Sequence, residues 1–115
     1  MSVVIYHNPR CSKSRQTLEL LRERGIEPDI VEYLKSPPSV SVVRDILVKL
    51  DMSPRELMRR KEAKYKDLRL DDAGHTEADL VQIMTDNPIL IERPIVLTHK
   101  GAAIGRPPEA VLDIL

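Results

Sequence analysis

The chain has 115 residues, enough for one compact domain around one core. Eighteen Lys plus Arg balance eighteen Asp plus Glu, so the net charge is zero, which argues against bulk nucleic-acid binding and leaves only local charged pockets. No run of about 18 apolar residues is present and no basic start leads into an apolar stretch, so neither a membrane span nor a signal peptide is expected.

Hydrophobic residues make up 42%, with three Tyr and no Phe or Trp, so the core must be aliphatic. Met58 and Met84 read as gap fillers in it. The single cysteine excludes an internal disulfide, and the expected compartment is the reducing cytoplasm.

Val3 to Tyr6 is a short apolar run, suited to a buried strand. His7, Asn8, Pro9 and Arg10 form a loop. A helix is predicted from Ser12 or Ser14, with Leu18 and Leu21 inward, and Gly25 stops it. Asp29 to Tyr33 reads as a second strand, and strand, helix and strand over about 30 residues make a βαβ unit with parallel neighbours. After Pro37-Pro38, the residues Val40, Val43, Leu47 and Leu50 fall on one helical face. Ser53-Pro54-Arg55-Glu56 is a capping box with Pro at the first helical position. Glu62 to Gly74 is polar and irregular. Thr76 to Asp86 is predicted helical, with Leu80, Ile83 and Met84 inward, and Asn87-Pro88 ends it. Ile95 to Thr98 is a strand, His99-Lys100-Gly101 a tight turn, and Ala102 to Ile104 its hairpin partner. Pro107-Pro108 opens a last helix. The predicted class is α/β, a mixed sheet flanked by helices.

Cys11 lies between a strand and a helix, in Asn-Pro-Arg-Cys-Ser-Lys-Ser-Arg. A buried structural cysteine belongs in an apolar run, so this context favours a functional thiol. A free thiol, with a pKa of about 8.5, acts as a nucleophile only once ionised. The unpaired N–H groups and positive dipole end of the following helix favour ionisation. So do the cations Arg10, Lys13 and Arg15 and the hydroxyls of Ser12 and Ser14. His7 either faces the sulfur or braces the loop by a hydrogen bond. Lys13 and Arg15 read equally as solvated helix charges.

Other chemistries fail on spacing. A phosphatase-type Cys-x5-Arg loop needs Arg where Thr17 stands, and a Cys-x-x-Cys pair needs Cys where Ser14 stands. His7, His75 and His99 are scattered, so no metal site is expected. No glycine-rich nucleotide loop occurs. Arg93 precedes Pro94 and Arg106 precedes Pro107, which restricts the backbone at each arginine. Convergent arginines suit a tetrahedral oxyanion, with Arg59 or Arg60 as a third donor, although each also reads as a surface charge.

Four ordered segments carry a resemblance: His7-Asn8-Pro9-Arg10-Cys11, Leu57-Met58-Arg59, Asn87 through Val96 (NPILIERPIV), and Gly105-Arg106-Pro107-Pro108-Glu109. Together they resemble the glutaredoxin-coupled arsenate reductases over essentially the whole chain, residues 1–115 as a single domain. The resemblance implies a thioredoxin-like fold with an inserted helical region. It implies that Cys11 attacks arsenate, that glutathione attacks the adduct, and that glutaredoxin completes release of arsenite. No tightly bound cofactor is implied. Arg59, Arg93 and Arg106 match the oxyanion-binding arginines, and His7 matches the histidine that supports the thiolate. Ser14 and Arg15 match supporting positions, and Pro94 matches a cis-proline. The lone cysteine agrees, since a resolving thiol must then come from outside.

The chain departs from the usual His-Asn-Pro-x-Cys-Gly-Thr-Ser-Arg pattern at Ser12 and Lys13. It ends at Leu115, where longer members carry a further tail, and so resembles a shorter subgroup. Two other activities fit the same scaffold. One is a glutathione-dependent thiol reductase acting on another substrate. The other is a redox-sensing regulator that binds RNA polymerase, although such regulators typically carry the second cysteine missing here.

Overall fold

The computed structural model describes residues 2–115 and contains two compact units. The first takes the chain up to Ser36 and resumes at Arg93–Leu115; the second is Pro37–Glu92.

The first unit is a four-stranded mixed sheet of order β2-β1-β3-β4, with β1 at Val4–His7, β2 at Asp29–Glu32, β3 at Ile95–Thr98 and β4 at Gly101–Ile104. Strand β1 runs parallel to β2, with His7 opposite Glu32, and antiparallel to β3, with Ile5 opposite Val96. The parallel pair is the predicted βαβ unit, its crossover made by helix α1, Ser12–Glu23. Strands β3 and β4 form the predicted hairpin, closing on Thr98 opposite Gly101.

Strand alternation decides which β1 side chains meet α1. Val3 and Ile5 enter a buried aliphatic cluster with Leu21, Val96 and Val111. His7 continues the same alternation at the strand's end. On α1 the buried positions are Ser14, Thr17 and Leu21, a stripe at helical spacing. Its lower end is aliphatic and its upper end is hydroxylic. Truncating Leu21, which is fully buried, would cost about 2–5 kcal/mol.

The helix stops as its sequence predicts. Gly25 adopts φ +77°, its N–H bonds to the carbonyl of Arg22, and the N–H of Ile26 bonds to that of Leu21. This is a Schellman closure, with Ile26 and Leu21 both in the aliphatic cluster. The last predicted helix forms as a 3₁₀ segment, Pro108–Ile114, with Val111 inward.

The second unit holds α2 (Val40–Leu50), α3 (Pro54–Leu57), α4 (Ala63–Asp67) and α5 (Glu77–Asp86). The predicted capping box opens α3, and Thr76 with Asp79 forms another at α5. Ile46 joins Val43 and Leu47 as the buried face of α2, whereas Val40 and Leu50 are only half-buried. In α5 the buried residues are Leu80, Val81 and Met84, while Ile83 is half-buried. The stretch read as irregular contains α4. It is held by polar contacts that carry no periodicity: Arg55 donates to the carbonyls of Leu70 and Asp72, both at 2.9 Å, and Tyr65 donates to Asp71. Among the described residues, no helix is long and apolar enough to cross a membrane.

Candidate active site

The pairing directions bring four chain segments to one end of the first unit's sheet. The C-terminal ends of β1 and β2 lie there because the two strands are parallel. The start of β3 and the end of β4 lie there because each adjoining pair is antiparallel. Cys11 follows β1, Arg93 precedes β3, and Arg106 follows β4. Residues far apart in sequence therefore converge on one sulfur.

Cys11 is the N-cap residue of α1, and the residue is 8% exposed. Its own backbone is spent on structure: the N–H donates to the carbonyl of Asn8, and the carbonyl accepts from the N–H of Arg15. The thiol thus stands over the first turn of the helix. Burial pushes its pKa up. The backbone N–H of Ser14, the Arg93 guanidinium, the N–H of Lys13 and the Arg106 guanidinium pull it down, and the net result lies below the ordinary thiol value. Arg106 Nη1 donates to Cys11 Sγ at 3.8 Å and to the carbonyl of Arg93 at 3.3 Å.

His7 makes the bracing hydrogen bond that one of its two sequence readings expects. Its Nδ1 is hydrogen-bonded to Ser14 Oγ at 2.6 Å, and the N–H of Asn8 donates to the same oxygen at 3.0 Å. Burial chiefly lowers the His7 pKa; the nearby Glu32 raises it, and Arg22 and Arg15 lower it further. A neutral imidazole follows near neutral pH. The hydroxyl of Ser14 is engaged by the β1–α1 loop, so the help that Ser14 gives the sulfur comes through its backbone N–H. Arg15 Nη1 donates to the carbonyl of Pro9 at 2.9 Å, and Asn8 Oδ1 accepts from the N–H of Arg10 at 3.0 Å. Both contacts fix the loop that presents the cysteine.

The Arg93–Pro94 peptide is cis, as is Arg106–Pro107. Two residues that the sequence reading did not place in the site, Thr17 and Gly105, complete this end of the sheet. Thr17 Oγ1 donates to the carbonyl of Lys13 at 2.8 Å and lies 3.4 Å from that of Gly105. A Cβ built on Gly105 would collide with Thr17 Oγ1 and come within 2.8 Å of Pro94 Cγ. Glycine is therefore required for β4 to approach α1 this closely, and that approach delivers Arg106. The sequence signal was present in a glycine directly before an Arg-Pro pair.

Arg59 belongs to the second unit. Its Nη1 is 2.6 Å from Glu62 Oε1, and both side chains are about three-quarters buried. Its backbone N–H donates to the carbonyl of Leu90, beside the Met58–Ile91 bridge. Arg60 is exposed. Among the described residues, no group of three His, Cys, Asp or Glu is placed to hold a metal ion.

A mixed sheet opened by a βαβ unit, with a cis-proline at the entry to β3 and a cysteine capping the crossover helix, defines a thioredoxin-like protein with one cysteine. The chain belongs to the ArsC family, which matches residues 6–114. It is 57% identical to the uncharacterized protein YfgD of Escherichia coli K12, over 98% of this chain and 96% of that one. It is 49% identical to the arsenate reductase of Haemophilus influenzae over the full length of both. The solved structure of an arsenate reductase from Vibrio cholerae superimposes with a TM-score of 0.97 at 49% identity, covering 100% of this chain and 98% of that one.

Proposed function

We propose that this protein reduces arsenate to arsenite, with Cys11 as nucleophile and glutathione and glutaredoxin as external reductants. One observation carries the reading: a thiol of lowered pKa on a helix N-terminus, with the Arg106 guanidinium 3.8 Å from the sulfur. The thiolate attacks arsenic and an arsenate oxygen leaves as water. Arg93 and Arg106 hold the remaining oxygens, and Arg59 is the proposed third donor. Overall, As(V) gains two electrons to become As(III) while two thiols become a disulfide. The chain has one cysteine, so at least one of those thiols comes from outside. The arsenate reductases among its relatives support the choice of substrate.

The test is coupled turnover with arsenate, glutathione, glutaredoxin, glutathione reductase and NADPH. Arsenate-dependent NADPH oxidation, abolished in Cys11→Ser, is expected. Oxidation that ignores arsenate and survives Cys11→Ser would overturn the reading.

A further inference from the structure

The sheet order gives the cysteine two different flanks. Both arginines that act on the sulfur, Arg93 and Arg106, come from the β3–β4 side. On the β2 side, the loop before Cys11 and the end of β2 enclose a cleft of about 300 Å³. His7, Pro9 and Arg10 form one wall; Glu32, Leu34 and Lys35 form the other. All six belong to the first unit, as does Cys11. A volume of this size lies at the lower end of small-molecule sites, about 300–1,000 Å³.

The chemistry of this cleft differs from that of the arginine flank. Its lining is mainly apolar, and Leu34 is 42% exposed there, a large aliphatic side chain left open to water. Two cations stand on its rim, Arg10 and Lys35, with one carboxylate, Glu32. Lys35 is held only loosely, 3.7 Å from Glu32, and both side chains are substantially exposed. An exposed pair of this kind exchanges partners at little cost. The lining therefore suits a short peptide with two carboxylates and one ammonium group, lying on Leu34 and Pro9.

A thiol that attacks the adduct on Cys11 needs an approach that the bound oxyanion leaves open. With the oxyanion on the guanidinium side, the β2 side is the other flank, and Arg10, on the wall of its cleft, is the residue before Cys11 in the chain. We propose that the β2-side cleft binds the thiol cosubstrate, a small peptide thiol of the glutathione type. Arg10 and Lys35 take its carboxylates and Glu32 takes its ammonium. This assignment rests on the proposed reaction but is tested apart from it.

The experiment is an NMR titration of ¹⁵N-labelled Cys11→Ser protein with glutathione, which forms no disulfide with serine. Amide shifts confined to Arg10, Leu34, Lys35 and their neighbours are expected. Lys35→Glu and Arg10→Glu should each weaken binding several-fold. In active protein, Lys35→Glu should raise KM for glutathione and leave KM for arsenate unchanged. Shifts centred on Arg93 and Arg106, no shifts at all, or equal affinity in the charge-reversed variants would overturn the proposal. Glutathione binding in the cleft without arsenate turnover would instead overturn the proposed reaction and leave the cleft assignment standing.

Discussion

The Arg106 guanidinium reaches to 3.8 Å from the Cys11 sulfur although 94 residues separate the two in the chain. That approach sets a measurable order of effects on the thiol. Arg93 lowers its pKa more than Arg106 does, and both act against the upward push of burial. Iodoacetamide labelling against pH should show a midpoint below the free-thiol value of about 8.5. Arg106→Ala should raise that midpoint, and Arg93→Ala should raise it further. A midpoint at or above the free-thiol value in the native protein would remove the case for an activated sulfur. The same two variants should lower arsenate turnover by roughly tenfold or more, since a lost charged contact costs about 1.5–3 kcal/mol.

Gly105 is predicted to be intolerant of a single methyl group. Its Cβ would meet Thr17 Oγ1 and Pro94 Cγ, two groups fixed by the helix and the β3 entrance. Gly105→Ala should destabilise the fold by about 1–3 kcal/mol, the usual cost of overpacking. It should also move Arg106 and raise the thiol's labelling midpoint. Adding Thr17→Ala should recover part of the stability, because it removes one of the two obstacles. Urea denaturation of the two single variants and the double variant measures that coupling. Strict additivity would show that the clash is not what Gly105→Ala costs.

Much of this arrangement was legible in the sequence. The βαβ opening, the hairpin at His99-Lys100 and the Gly25 stop follow from strand runs and turn residues that act locally. Cys11 stood out because it interrupts a polar loop. Less legible was anything decided by two distant segments touching. His7 and Ser14 are both named by the motif, yet only the β1 alternation against the α1 stripe shows that they bond to each other. Thr17 looks like an ordinary helix residue until β4 is laid beside it. Helix α4 was missed because its stretch is held by Arg55 and Tyr65 reaching polar partners, a device without hydrophobic periodicity.

Arg59 carries a prediction of its own because it is already paired. Its guanidinium lies 2.6 Å from the Glu62 carboxylate, within the second unit. An oxyanion drawn to Arg59 must compete with that carboxylate. Glu62→Gln keeps the shape and removes the negative charge, so it should lower KM for arsenate several-fold, with kcat changed less. Arg59→Ala should raise KM and make the Glu62 substitution silent. An unchanged KM in Glu62→Gln, with arsenate turnover otherwise normal, would take Arg59 out of the anion-binding set.

His7 provides a test of the site through stability and not through catalysis. Burial is the main reason its pKa falls below 6.5, so the folded protein resists protonation there while the unfolded chain does not. Above that value both states carry a neutral ring, and the bond to Ser14 contributes in full. As pH falls through 6.5 the unfolded state gains protons first. Stability then declines until the folded pKa is passed, below which the difference stays constant. Urea unfolding between about pH 7.5 and about pH 5 should show this decline in the native protein, and His7→Gln should flatten it. Parallel profiles would mean that the His7 ring is not held neutral by its burial against Ser14. The lowered Cys11 pKa would then have to stand on the arginines and the helix N–H groups without a fixed loop beneath them.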